Sequence, residues 1–289
     1  ELQAKFEVVT RPVVVECGGN GRAAFDPPAS GNQWTYGAVA CAEWTGVRLA
    51  DVLKAAGVKP GAVYTAHHSA DTHLSGKEGK EAISRGVPIA KAMDPNNLIA
   101  FAMNGKPIHP MNGAPLRLII PGWPGSCSQK WLQRINIRDQ VHDGAKMTGT
   151  AYRVPKHPVA AGEKVDKEDF VIIERMPVKS LITHPATGST ISDRSLEVRG
   201  NAWSGERKIT RVEISIDFGA TWMKADLGEQ PAYGAWQRFK AQVTFPESGY
   251  YEGCAKATDD KGVSQPFGIA WNPKGYLNNS MHRIAIRVS

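Results

Sequence analysis

The feature that most constrains this fold is a change of period part-way along the chain. Beyond residue 168, Val212, Ile214 and Ile216 alternate with Arg211, Glu213 and Ser215, and Phe239, Ala241, Val243 and Phe245 repeat the pattern. Alternation with period two places one side-chain set on one face of a strand. Turn signals at Asp217-Phe218-Gly219 and Asp259-Asp260-Lys261-Gly262 separate such runs. Several short strands punctuated this way form a β-sandwich. The preceding stretch, Lys156 to Glu168, is rich in proline, glycine and charge and reads as a linker. The chain therefore divides into residues 1–160 and 161–289, a division that 289 residues accommodate.

The first part is organised differently. Val13, Val14 and Val15 read as the end of a buried strand, and the chain then turns through Cys17-Gly18-Gly19-Asn20-Gly21-Arg22. Cysteine is among the most buried residue types, so a lone cysteine is most often a small core hydrophobe. The loop position, the glycines and Arg22 favour the other role. A thiol beside a guanidinium and free backbone N–H groups is in an electropositive setting, which favours the thiolate, the form that attacks or binds metal. Thr45 to Ala56 carries apolar residues at helical spacing and ends at Gly57, a helix with its C′ glycine. Leu98 to Met103 reads as a strand, and Asn104-Gly105 as a hairpin turn. His67, His68 and His73 are too irregularly spaced for a zinc site and read as a polar loop. Gly122 to Leu132 combines glycines, serines and Lys130, which suits an anion cradle. Arg117, on a buried strand, would be costly without a partner.

The loop at Cys17 resembles the C-A-G-N-R-R loop of the sulfite oxidase family of molybdenum enzymes, with Gly21 in place of the first arginine. Further motifs follow in the family's order over residues 6 to 288. Ile83 to Pro95 resembles Y-x-x-S-[IL]-P-L-x-[RK]-A-M-D-P. Asn112 to Gly122 resembles H-G-x-P-[VL]-R-[VL]-[VI]-[VI]-P-G. Gly122 to Leu132 resembles P-G-x-x-G-x-x-x-x-K-W-L, and Trp271 to Asn279 resembles W-N-x-[RM]-G-x-x-N-N. The resemblance implies an α+β molybdopterin-binding domain of sulfite oxidase type followed by an all-β immunoglobulin-like dimerisation domain. It implies that Cys17 is the protein's ligand to molybdenum. Asp71, Asn112, Arg117, Gly125, Ser126, Ser128, Gln129 and Lys130 would hold the molybdopterin. Arg22, Trp34, Lys274 and Tyr152 would bind the substrate, with Arg22 and Tyr152 also catalytic. Lys274 keeps the positive charge of the arginine common in sulfite-oxidising members, where assimilatory nitrate reductases tend to have methionine.

The function implied is oxidation of sulfite to sulfate by a homodimeric sulfite dehydrogenase, with electrons passing to an external c-type cytochrome in the bacterial periplasm. Two alternatives stand beside it: a sulfane dehydrogenase acting on protein-bound sulfur, and a non-enzymatic β-sandwich interaction protein with a vestigial first domain. The family carries a segment ahead of the cysteine loop that this chain would lack, so its N-terminal part is expected to be missing. Cys17, Cys41, Cys127 and Cys254 form no C-x-x-C pair, and no haem-attachment motif is present, so no haem is expected in this chain. The net charge of +7 is spread along the chain without a basic cluster, which argues against nucleic acid. No apolar run reaches the roughly 20 residues of a membrane helix, and no signal peptide is visible.

Overall fold

The computed structural model describes residues 1–289. The first half runs through α1 (Leu2–Lys5), β1 (Val8–Glu16), β2 (Val39–Arg48), α2 (Leu49–Ala56), β3 (Tyr64–Ser69), α3 (Ile89–Ala92), β4 (Leu98–Met103), β5 (Lys106–Pro107), β6 (Arg117–Ile119) and β7 (Leu132–Arg138). Strands β1, β2, β4 and β5 pair in that order and β6 joins β4, every pairing antiparallel. Strands β3 and β7 form a separate antiparallel ribbon. Two apolar clusters hold this half together. One gathers Val13, Trp44, Leu98 and Ile119; the other gathers Val47, Leu49, Leu53, Leu118 and Trp123.

The expected strand at Val13–Val15 is the end of β1, and the expected strand at Leu98–Met103 is β4. The hairpin turn follows with Asn104 at φ 52 and Gly105 at φ 71, the paired positive angles a tight hairpin requires. The expected helix from Thr45 is shorter than its spacing predicts. Strand β2 continues to Arg48, with Thr45 opposite Ala102 and Val47 opposite Ile99. β-Branched residues fit that pleated surface, and only Gly46 allows the close crossing: a Cβ there would lie 2.3 Å from the Ile99 carbonyl oxygen. The helix begins at Leu49 and ends at Gly57, whose φ of 77 matches the expected C′ role. The histidines are a second correction. His67 and His68 lie on β3, and His67 is fully buried, so they are not a polar loop. No group of three metal-ligating side chains is present there or elsewhere.

Two short strands, β8 (Arg153–Pro155) and β9 (Phe170–Ile172), pair and pinch residues 156–169 into a loop, closed by Lys156 N–H on the Asp169 carbonyl at 2.8 Å. The expected linker is that loop. Beyond it come β10 (Val178–His184), β11 (Ser189–Ile191), β12 (Ser195–Ser204), β13 (Ile209–Ser215), β14 (Met223–Lys224), β15 (Asp226–Leu227), β16 (Gln237–Thr244), β17 (Gly249–Asp259) and β18 (His282–Val288). They form two sheets, β10-β12-β16-β15 and β11-β18-β17-β13-β14. The alternating residues read from the sequence, Val212, Ile214, Phe239, Ala241, Val243 and Phe245, are all buried in the one apolar cluster between the sheets. This is the β-sandwich that the period-two pattern dictates.

Candidate functional site

Strand β1 delivers the chain directly to Cys17, and the loop that follows is fastened from both halves of the protein. Cys17 N–H donates to the Ala38 carbonyl at 2.9 Å, and Leu277 N–H donates to the Gly18 carbonyl at 2.9 Å. The Asn278 amide donates to the Gly21 carbonyl at 2.8 Å. Gly21 has φ 88, and a Cβ there would lie 2.7 Å from Asn278 Nδ2. Both facts explain why glycine stands where the resembling family has arginine. Cys17 itself is half-buried and unpaired, and its Sγ accepts from Gly19 N–H at 3.4 Å.

Beneath the loop lies a buried polar network. Glu16 Oε1 accepts from Lys179 Nζ at 2.9 Å and from Asn20 Nδ2 at 3.0 Å, and Glu16 Oε2 accepts from Trp203 Nε1 at 2.8 Å. Lys179 Nζ also donates to the Asn20 carbonyl at 3.1 Å. Lys179 and Trp203 belong to the sandwich, so the second half of the chain grips the cysteine loop through charge-assisted hydrogen bonds.

Cys17 opens onto a cavity of about 710 Å³. Of the residues expected at the site, Cys17, Trp34, Asp71, Asn112, Arg117, Gly125, Ser126, Ser128, Gln129, Lys130 and Tyr152 all line it. They arrive from β1, β6 and the loops around them, which is why no single run of sequence displays the cavity. Gly125 begins a single 3₁₀ turn whose backbone packs against Glu16, where a Cβ would meet the carbonyl oxygen at 2.9 Å. The charges are one-sided. Arg117 donates from Nε to the Ser128 carbonyl at 3.3 Å and from Nη1 to the Asn112 carbonyl at 3.1 Å, and its guanidinium lies 5.0 Å over the Trp44 ring. No carboxylate pairs with it, and burial pushes its pKa down to about 10. Lys130 donates to the Met111 carbonyl at 3.0 Å and sits 4.0 Å over the Trp131 ring. Its pKa is lowered by burial first and by Arg117 second, with Asp71 opposing. Ser69 Oγ donates to Asp71, the one carboxylate on the wall, and accepts from Gln129 Nε2.

These residues fit the group that the resemblance implies. Ser126 Oγ and Gln129 Oε1 are buried on the cavity wall and have no protein partner. Such atoms are costly unless a ligand satisfies them. Two cations with no carboxylate ion-paired to them suit a phosphate, and one half-buried thiol suits a metal that takes sulfur ligands. Ser128 contributes differently: its Oγ accepts from Ile120 N–H at 3.1 Å and so holds the loop to the sheet.

Tyr152 closes the cavity beside Cys17. Its φ of 53 is left-handed, an unusual and strained conformation for a bulky residue. Its ring stacks on Tyr276 with centroids 5.8 Å apart, and Tyr152 N–H donates to the Tyr276 hydroxyl at 3.2 Å. Burial raises the Tyr152 phenol to about 12, with Tyr276 and Cys17 adding smaller contributions of the same sign. The phenol therefore keeps its proton throughout the neutral range.

Arg22 and Lys274 do not line the cavity. Arg22 is 5% exposed. Its Nε donates to the Lys274 carbonyl at 2.9 Å, its Nη1 donates to the Asn32 carbonyl at 3.0 Å, and its guanidinium lies 4.8 Å over the Tyr276 ring. Gly19, Gly31 and Gly275 crowd it so closely that a Cβ on any of them would clash. The structure thus uses Arg22 to tie the cysteine loop to the C-terminal motif, a role that its residue type alone did not suggest. Lys274 is joined to it through its backbone. Sequence reasoning also passed over Tyr276 and Arg85, which sit behind the wall. Both lie inside motifs of the resemblance, Arg85 in Ile83–Pro95 and Tyr276 in Trp271–Asn279, but at positions those motifs leave open.

Comparison with known proteins gives three findings. The family described as "Oxidoreductase molybdopterin binding domain" matches residues 1–146, and "Mo-co oxidoreductase dimerisation domain" matches residues 170–289. Human mitochondrial sulfite oxidase is 34% identical over 96% of this chain and 52% of its own length. The NADH nitrate reductase of Ulva prolifera is 32% identical over 98% of this chain and 35% of its own length. The chain spans about half the length of the sulfite oxidases it matches. Among solved structures, the sulfane dehydrogenase SoxCD from Paracoccus pantotrophus superposes with a TM-score of 0.79 at 28% identity, over 99% of this chain and 72% of that one.

Proposed function

Since the chain belongs to the sulfite oxidase family of molybdopterin-binding oxidoreductases, we propose that the cavity at Cys17 holds a molybdenum–molybdopterin group and that the chain oxidises sulfite to sulfate. The balance is sulfite plus water giving sulfate, two protons and two electrons, the electrons leaving to an external c-type cytochrome in the periplasm. The observation that carries the reading is the cavity wall: one accessible thiol, two cations with no carboxylate ion-paired to them, and two residues, Ser126 and Gln129, each with an orphaned buried polar atom, around one space.

The residues act as follows. Cys17 supplies the thiolate ligand to the metal. Arg117 and Lys130 hold the pterin phosphate, with Ser126 and Gln129 satisfying further polar atoms of the group. When bound, the molybdenum group supplies two-electron oxygen-transfer chemistry at a sulfur atom. Tyr152 keeps its hydroxyl protonated and donates to the anionic substrate, while Trp34 forms the outer wall. A neutral hydroxyl donates to an anionic oxygen without a proton leaving the protein. Arg22 and Lys274 influence the site by fastening the loop that carries Cys17. The second half of the chain makes the homodimer, as its family description suggests.

A second reading rests on the superposition with a sulfane dehydrogenase over nearly the whole chain, together with Arg22 lying off the cavity wall. In that reading the substrate is sulfur carried on a protein. One steady-state experiment separates the two on molybdenum-loaded protein, with ferricyanide as acceptor. Turnover with free sulfite and none with a protein-bound persulfide supports sulfite oxidation. The reverse outcome assigns the sulfane activity.

A further inference from the structure

Arg85 is the largest fully buried side chain of the molecule, at 0% exposure. It is also a guanidinium without a carboxylate. Nη1 donates to the Lys146 carbonyl at 3.1 Å, Nη2 reaches only Cys127 Sγ at 3.9 Å, and Nε has no partner. Burying a charge this way is unfavourable unless something compensates. No carboxylate bonds to it, and the groups it acts on are Tyr64, His67, Cys127 and Tyr152.

What the guanidinium does have is a π face. Its central carbon lies 4.9 Å over the Tyr152 ring. Tyr152 stacks on Tyr276, and the Arg22 guanidinium lies over the Tyr276 ring. The order is cation, phenol, phenol, cation, running behind the wall that holds Cys17. Such cation–π contacts are strongest when both partners are out of water. The stack also bears on the Tyr152 backbone. A left-handed tyrosine persists only where its surroundings over-determine it, and the Tyr152 ring is held by both Arg85 and Tyr276.

We infer that Arg85 is a positioning residue for Tyr152: it pins the ring in its left-handed pose and aims the hydroxyl into the cavity toward the anionic sulfur substrate. This rests on the functional reading above. Arg85 touches neither substrate nor cofactor, and it acts only through the phenol. Its own residues therefore predict a coupling that a core-filling arginine lacks.

The test uses molybdenum-loaded protein with Arg85→Met, Arg85→Lys, Tyr152→Phe and the two Arg85 changes combined with Tyr152→Phe. Sulfate binding is measured by calorimetry, and 3-fluorotyrosine at position 152 is observed by fluorine NMR. Arg85→Met is expected to weaken sulfate about tenfold with molybdenum content unchanged, and by no more than about twofold once Tyr152 is phenylalanine. The fluorine spectrum is expected to show two slowly exchanging ring orientations in the wild type and one averaged line in Arg85→Met. Should Arg85→Met fail to fold, Arg85→Lys carries the test, because it keeps the charge and loses the planar stack. It is expected to weaken sulfate about threefold and to average the fluorine line. Equal losses of sulfate affinity in both Tyr152 backgrounds overturn the inference, as does a wild-type fluorine spectrum in the Arg85 variants. A wild type that binds no sulfate, with the fluorine change intact, overturns the sulfite reading and leaves the pinning of Tyr152 standing.

Discussion

Replacing Lys179 with methionine removes the one cation that faces Glu16 beneath the cysteine loop. The pair is 2.9 Å apart, with side-chain exposures of 3% and 1%, so solvent screens it little. Removing one partner of a buried pair costs about 3–5 kcal/mol, because the other charge is left uncompensated. Glu16 would keep two donors, Asn20 Nδ2 and Trp203 Nε1. Hydrogen bonds to a charged group are worth about 1.5–3 kcal/mol each, so the remaining carboxylate is not bare. The expected loss is therefore at the lower end, about 3 kcal/mol. The methionine also leaves the Asn20 carbonyl without its donor, and Asn20 lies in the same loop as Cys17. Molybdenum content should fall along with stability. The assay is urea unfolding followed by tryptophan fluorescence and near-ultraviolet circular dichroism, with metal analysis on the same samples. Glu16→Gln combined with Lys179→Met should cost less than the sum of the single changes by about 2 kcal/mol, as expected for directly coupled groups. A loss below about 0.5 kcal/mol for Lys179→Met, the scale of an ordinary surface change, would refute the reasoning, as would strict additivity in the double variant.

Cys17→Ser should keep the circular dichroism of the wild type and lose molybdenum and sulfite turnover, since a hydroxyl is a poor ligand for a soft metal site; wild-type metal content in that variant contradicts the ligand assignment. Arg117→Met should lower the affinity for the molybdopterin by about 2–3 kcal/mol, the value of a charge-assisted contact, while Arg117→Lys recovers part of it; equal pterin retention in all three proteins places the phosphate elsewhere. Burial depresses His67 to about 3 and His282 to about 4, from an ordinary 6.5. The unfolded chain therefore binds more protons below pH 6.5, so stability is complete above that pH and falls as pH drops toward 4, by up to about 1.4 kcal/mol per unit for each histidine; a flat stability profile from pH 6.5 to 4.5 would count against the buried neutral histidines. Residues 170–289 should give the protein a dimeric mass by light scattering at micromolar concentration, and a monomer mass refutes that assembly.

The sandwich was legible because its signal is local: Val212, Ile214, Phe239 and Val243 alternate with period two and fall in one core. The helix boundary was not, because Thr45 and Val47 satisfy a helical face and a strand equally well, and only pairing with β4 decides between them. His67 and His68 misled for a similar reason. Their polarity suggests a loop, whereas burial with Thr65 Oγ1 at 2.8 Å from His67 Nε2 makes His67 part of the core. At the site, Cys17 and the Gly122–Leu132 loop announced themselves through residue types suited to metal and anion. Arg22 announced itself too, but its charge concealed that its two hydrogen bonds go to backbone carbonyls. Arg85 was silent because a lone arginine gives no sign in sequence of being fully buried, or of which ring it covers.

The most direct test of the central claim is the stoichiometry of sulfite oxidation by molybdenum-loaded protein alongside its Cys17→Ser variant, with ferricyanide as the acceptor. The account predicts one sulfate formed for every two ferricyanides reduced, at a rate proportional to bound molybdenum, and no reaction from the serine variant. Fully loaded wild-type protein that reduces no ferricyanide with sulfite, or a serine variant that turns over at the wild-type rate, would contradict it.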